Sequence, residues 1–177
     1  MTGAALSIRA ARTDDIGFVQ ELEIDAGRRF YELGLDAIAE SDPPTGADLQ
    51  AHIDSGTIWI AVQPTVTSEV LVGYATASVV DDEGHLDQVS VAFDAQGGGI
   101  GRALVEKVCS WAAGLGFEAV TLTTFADVAW NGPLYTHLGF DVVAGAGLGP
   151  ELAAIRAAER EAGLDVLTRV AMRRVLP

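Results

Sequence analysis

Residues 96–101 read Gln-Gly-Gly-Gly-Ile-Gly, and a helical pattern opens directly behind them. The segment before them, His85 to Phe93, alternates, with Leu86, Val89 and Val91 apolar and polar residues between. Behind them Leu104, Val105, Val108, Trp111 and Ala112 fall on one helical stripe. A strand, a glycine loop and a helix therefore follow one another without a linker. Glycines accept dihedrals closed to other residues and leave backbone amides uncovered. With the positive end of the helix dipole, such amides form an anion site for which pyrophosphate is a natural guest. A plain glycine-rich strand-to-helix turn would carry the same letters.

The rest of the chain gives this unit its company. Ile8 to Ala10 reads as a short strand, and Thr13-Asp14-Asp15 as a helix start with Thr13 as N-cap. Ile16, Val19, Leu22 and Ile24 lie near helical spacing, with Phe18 between them. A second helical piece spans 30–40, broken near Gly34, and a third spans 47–53. Strands follow at 57–62 and 70–80, with a turn at Pro64 to Ser68 between them and an acidic turn at Asp81 to Gly84 after them. After the glycine loop and its helix come a strand at 117–124, a helix at 130–138, a strand at 140–143, a helix at 151–162 and a last strand at 166–175. This order gives one domain over residues 1–177, of mixed α/β (α+β) class.

Charge and cysteine content exclude several functions. Eleven basic against 25 acidic residues give a net charge of −14. That is unfavourable for nucleic acid, whose phosphates need Lys and Arg, and suits a cationic small molecule or basic peptide. Acidity can equally serve solubility alone. Cys109 is the only cysteine, which rules out an internal disulfide and multi-Cys zinc sites; no metal is expected. No apolar run approaches the roughly 20 residues of a membrane span. The first residues, Met1 to Arg12, lack a basic start followed by an apolar core. The expected location is the cytoplasm.

Two nucleotide motifs fit the loop poorly. A P-loop ends in Gly-Lys-Ser/Thr, whereas Gly101 is followed by Arg102 and Ala103. A dinucleotide fingerprint needs a third glycine that is missing after Gly99-Ile100-Gly101. Residues Gln96 to Gly101 match instead the Q/R-x-x-G-x-G/A pattern of the GCN5-related N-acetyltransferases. The run from Trp130 to Phe140, with Asn131, Tyr135, Leu138, Gly139 and Phe140, resembles that family's later Asn…Tyr-x-x-Leu-Gly-Phe segment. One departure is plain. In many members the Asn stands further ahead of the Tyr; here Asn131 precedes Tyr135 by four positions, with Pro133 between. Asn131 is thus a cofactor contact of altered geometry or a helix cap.

The resemblance implies a central, mostly antiparallel twisted sheet of about seven strands, flanked by helices and splayed between its fourth and fifth strands. It implies acetyl-CoA as cofactor. Backbone groups of Val89 and Val91 would pair with the pantetheine arm, and Gln96, Gly97, Gly98, Gly99, Ile100, Gly101 and Arg102 would hold the pyrophosphate. Tyr135 stands where many members carry the tyrosine that protonates the departing thiolate. His85 and Asp87, eleven and nine residues before Gln96 and on one face of their strand, stand where members place a base. Their plainer readings are a solvated turn residue and a strand-edge charge. Gln88 is assigned to the opposite face.

Thr121, Thr123, Thr124 and Phe125, with Asp127 and Trp130, are candidates to line the acceptor side. Trp59 and Trp111 read as core, Cys109 as buried, and His52 and His137 as surface or packing residues. The acid-rich stretches Glu21 to Glu40 and Glu151 to Glu161 would meet the acceptor or form solvated helix faces. The expected activity is transfer of acetyl to a primary amine of a small cationic acceptor in a ternary complex, without nucleic acid or membrane partners. Dimers are common in the family. The alternative is a non-catalytic acyl-CoA sensor or regulatory module.

Overall fold

The computed structural model describes residues 6–65 and 68–177. The centre of the expected turn, Val66 and Thr67, lies outside them, as does the start of the Met1 to Arg12 segment. Seven strands form one sheet: β1 (Ser7–Ala10), β2 (Ile58–Pro64), β3 (Glu69–Val80), β4 (Glu83–Val91), β5 (Ala119–Phe125), β6 (Asp141–Val143) and β7 (Arg169–Val175). Their order is β1-β2-β3-β4-β5-β7-β6. The β4–β5 pair is parallel, while β1–β2, β2–β3, β5–β7 and β6–β7 are antiparallel. The helices are α1 (Ile16–Gly27), α2 (Asp36–Ala39), α3 (Gly46–Ser55), α4 (Ile100–Gly114), α5 (Gly132–His137) and α6 (Pro150–Glu161). This is the expected fold class. No helix of the described residues is long and apolar enough to cross a membrane.

Backbone packing divides the chain into two compact units. One comprises Met1–Ala77 with Gln88–Lys107. Its core joins Val19 and Leu22 of α1, Leu49 of α3, Ile58, Ile60 and Val62 of β2, and Tyr74 of β3. The buried stripe of α1 is narrower than its periodicity suggests, since Phe18 and Ile24 are 59% and 54% exposed. Thr13 does not cap the helix start. Arg12 occupies the cap position, and the Asp15 carboxylate accepts its N–H at 2.7 Å. That carboxylate also takes the Arg9 guanidinium at 2.8 and 2.9 Å, which holds its pKa below the usual range. Thr45 caps α3 by accepting the Asp48 N–H, and Gly56 closes it in the left-handed conformation.

The other unit comprises Ser78–Asp87 with Val108–Pro177. One of its cores joins Val80, Ala171 and Leu152, with Val143, Leu148 and Ile155 packed around them. The acidic turn is tighter than expected, because Glu83 and Gly84 already belong to β4. Only Asp81 and Asp82 remain, with φ of +52° and +59°. Two residues of positive φ give the turn twist that suits a two-residue hairpin.

Asp81 does a second job. Its carboxylate accepts the N–H groups of Glu151 and Leu152, both at 2.9 Å, and so caps α6. The Glu151 carboxylate returns the contact by accepting the Asp81 N–H at 2.5 Å. This is a reciprocal cap built from two segments 70 residues apart in the chain. Gly149 leaves room for it, since a Cβ there would lie 2.2 Å from the Asp81 side chain. Asp81→Ala is expected to lower unfolding free energy by about 1–2 kcal/mol, and Asp81→Asn by less, in urea melts. Equal stability of all three proteins would show that the cap contributes nothing.

Candidate functional site

The glycine loop follows β4 through a short 3-10 turn at Phe93–Ala95. Gly97 and Gly99 have φ of +81° and +79°, so the conformation itself selects glycine at these positions. Gly97, Gly98 and Gly99 are exposed, while Ile100 is buried and anchors the head of α4. The first hydrogen bond of that helix runs from Ala103 N–H to the Gly99 carbonyl. The amides of Ile100, Gly101 and Arg102 precede it and lie at the positive end of the dipole. Gln96 donates to the Val91 carbonyl at 3.1 Å, which ties the loop to the end of β4. The arrangement suits an anion at the exposed glycines, and it fits the pyrophosphate expected from the sequence.

The same unit holds an unforeseen carboxylate node. Glu23 of α1 accepts from the Tyr74 hydroxyl at 2.8 Å and the Ser90 hydroxyl at 2.5 Å through Oε2. Its Oε1 accepts from the Gln88 side-chain amide at 2.8 Å. Burial, and then the negative Glu23 beside it, raise the Tyr74 pKa, so this phenol stays a donor. Asp25 accepts the Phe93 N–H at 2.7 Å and pairs with Arg28, whose guanidinium lies 4.7 Å from the Phe93 ring centroid. Part of the acid-rich first stretch is therefore structural.

In the other unit, β4 pairs with β5 only through Gly84–Val120, His85–Thr121 and Leu86–Leu122. Its strict alternation fails. Gly84, His85 and Leu86 are buried in succession, then Asp87 and Gln88 are exposed in succession. Gly84 is buried because α4 packs on it; a Cβ there would lie 2.8 Å from the Ala112 Cβ. His85 is only 3% exposed, not a solvated turn residue. Its Nδ1 lies 2.8 Å from the Thr121 hydroxyl. Burial pushes its pKa below the usual imidazole value, against the pull of Asp87 and Glu159. Asp87 accepts from the Ser78 hydroxyl at 2.7 Å, so the side chain bonded to His85 is Thr121 and not Asp87.

Tyr135 lies on α5, is 8% exposed and meets Phe140 edge-on at 5.8 Å between ring centroids. Desolvation raises its pKa well above that of a free phenol. Pro133 stands in the first turn of α5, as its fixed φ favours. Gly132 ahead of it is required, because a Cβ would lie 2.2 Å from the Ala126 carbonyl oxygen. Asn131 precedes the helix, but its side chain makes no capping hydrogen bond. The capping alternative is therefore not realised.

The sequence does not announce a partly buried ionic cluster from α6 and β7. Glu159 accepts from Thr123 and Arg169. Arg156 pairs with Glu159 and with Asp165 at 3.1 Å. Burial alone would raise the Glu159 pKa, but bonds from Arg169, Thr123 and Arg156 outweigh it and hold it below the usual range. Arg169 also lies over the Phe125 ring at 4.7 Å. Thr123 and Phe125 are thus tied into this network. Thr121 is buried against His85, and Thr124 is buried too. Trp59 and Cys109 are buried as expected; Trp111 is half-buried. His52 bonds Thr57 at 2.9 Å, and His137 and Asp127 are exposed.

Comparison with known proteins agrees with this reading of the fold. The Acetyltransferase (GNAT) family matches residues 19–140. Rv2747 of Mycobacterium tuberculosis, solved with CoA, is similar over 97% of this chain and 99% of its own, at 22% identity and a TM-score of 0.69. An acetyltransferase of the GNAT family from Staphylococcus aureus Mu50 is similar over 98% and 100%, at 16% identity and 0.72. The PaiA N-acetyltransferase of Thermoplasma acidophilum, solved with coenzyme A, is similar over 97% and 99%, at 13% identity and 0.69. The match across most of the chain, on a sheet of this order with a glycine loop opening α4, places the protein in the GNAT acetyltransferase family, whose cosubstrate is acetyl-CoA.

Proposed function

We propose that the protein is an N-acetyltransferase that moves acetyl from acetyl-CoA to the primary amine of a small cationic acceptor, with both bound at once. The observation that carries the reading is the glycine loop, whose left-handed Gly97 and Gly99 turn exposed backbone toward an anion. When bound, acetyl-CoA supplies a thioester already activated toward amines. The amides of residues 97–102, with Gln96 bracing the strand end, would hold its pyrophosphate. Backbone groups of Val89 and Val91 would pair with the pantetheine arm. The Val91 carbonyl retains a second lone pair beyond the Gln96 bond. Asn131, uncommitted as a side-chain cap, is assigned to the cofactor as well.

His85 and Tyr135 divide the proton work. Burial keeps His85 neutral near pH 7, so a ring nitrogen is free to take the amine's proton. Asp87, exposed on the same strand, attracts the cationic acceptor. Burial keeps Tyr135 protonated, and its hydroxyl supplies the proton that the departing sulfur needs. An acceptor of positive charge is consistent with the net charge of −14.

Three measurements test this. Tyr135→Phe is expected to lower kcat roughly tenfold or more while acetyl-CoA affinity stays the same; unchanged turnover removes Tyr135 from the mechanism. Because burial lowers the His85 pKa, turnover should rise with pH along a limb below about 6.5 and level off above it. His85→Asn should abolish that limb, and its survival in the variant excludes the imidazole as base. Finally, acetyl-CoA should raise the melting temperature, and free thiol should appear with amines from a panel of polyamines, aminoglycosides and amino acids. A thermal shift without thiol release from any of them would favour a binding module.

A further inference from the structure

Most carboxylates that the fold draws inward meet a cation, and Asp81 instead meets the amides that open α6. Asp15 is matched by Arg9, Glu83 by Arg173, and Glu159 by Arg156 and Arg169. Glu23 is bonded by three neutral donors, Tyr74, Ser90 and Gln88, and by no cation among the described residues. An ionised carboxylate offers about four acceptor positions. Two on Oε2 are filled by the hydroxyls and one on Oε1 by Gln88. One position on Oε1 of this half-buried carboxylate remains open.

A cationic group placed at that position would meet the carboxylate favourably. The donors show where this would occur. Gln88 and Ser90 flank Val89 on β4, and Val89 is the residue assigned to the pantetheine arm. Tyr74 is fixed in the core and its hydroxyl holds the carboxylate at this place. Glu23, these two β4 residues and the glycine loop all belong to one compact unit.

We infer that Glu23 Oε1 receives the ammonium group of the acceptor and selects a cationic amine over a neutral molecule of the same shape. The inference rests on the N-acetyltransferase reading and names the carboxylate that gives it its substrate class. Glu23 is a specificity-determining residue here, independent of which side chain removes the proton.

The test is an NMR titration of the full chain saturated with CoA, using 1,4-diaminobutane and its neutral counterpart 1,4-butanediol. The Gln88 side-chain amide signals, identified by their loss in Gln88→Leu, report the site. Diaminobutane should shift them saturably, butanediol should not, and Glu23→Gln should weaken the diamine roughly tenfold or more. Equal affinity in Glu23→Gln, binding that leaves Gln88 unmoved, or no saturable shift in the wild type overturns the inference. Should Glu23→Gln fail to fold by thermal melting, Glu23→Asp serves instead. It keeps the charge but withdraws it by one methylene, and full affinity there contradicts the assignment. Acetyl-CoA binding is read on the same samples by thermal shift. Its absence in the wild type sinks the acetyltransferase reading, whereas amine indifference with cofactor binding intact sinks only the role of Glu23.

Discussion

Two parallel strands cannot be joined by a tight turn, and β4 and β5 are parallel. The chain must leave β4, cross over and return before β5 can pair. The crossover is α4, which opens at Ile100 directly behind the glycine loop that follows β4. A helix N-terminus, with its unsatisfied amides, is therefore delivered to the end of a sheet strand. The glycines supply what that position demands: two left-handed residues, exposed backbone and a tie from Gln96 to Val91. The β4–β5 ladder covers three residue pairs, although β4 runs on to Val91 and β5 to Phe125. Beyond those pairs β4 continues through Val89 and Val91, the residues proposed to meet the cofactor arm.

Polar groups drawn into the interior are the second organising feature. His85, Thr121, Thr124 and Arg156 are all buried. Burying them is tolerable because most are bonded: His85 to Thr121, and Arg156 to Glu159 and Asp165. Arg169 Nε is the one buried side-chain polar atom without a partner among the described residues. Its guanidinium lies over the Phe125 ring, so part of its charge is met by the aromatic face. Glu23 departs from that pattern, being bonded by three neutral donors and by no cation among the described residues.

What the sequence disclosed follows from local physics. Glycine loops, helix stripes and alternating strands are written in neighbouring residues, so element order, the loop and the seven-stranded class could be read directly. The turn of the β3–β4 hairpin falls within the expected Asp81 to Gly84 and is shorter, since Glu83 and Gly84 already belong to β4. Contacts between distant segments were not legible. Nothing near Glu23 announces Tyr74, Ser90 and Gln88 as partners, and nothing near Asp81 announces α6. Thr13 looked like an N-cap by type, yet Asp15 took the bond because Arg9 on β1 holds its carboxylate in place. That His85 is buried beside Thr121 of β5 likewise depends on a distant segment, which alternation cannot reveal.

The reciprocal cap between Asp81 and Glu151 also bears on the order in which the chain matures. A two-residue hairpin closes on its own within microseconds. The first turn of α6 does not gain its acceptors until a turn 70 residues upstream is in place to provide them. A contact of that separation carries a loop-closure cost that local structure does not. On a chain emerging from synthesis, the hairpin is therefore a waiting template, and α6 the late arrival that docks onto it.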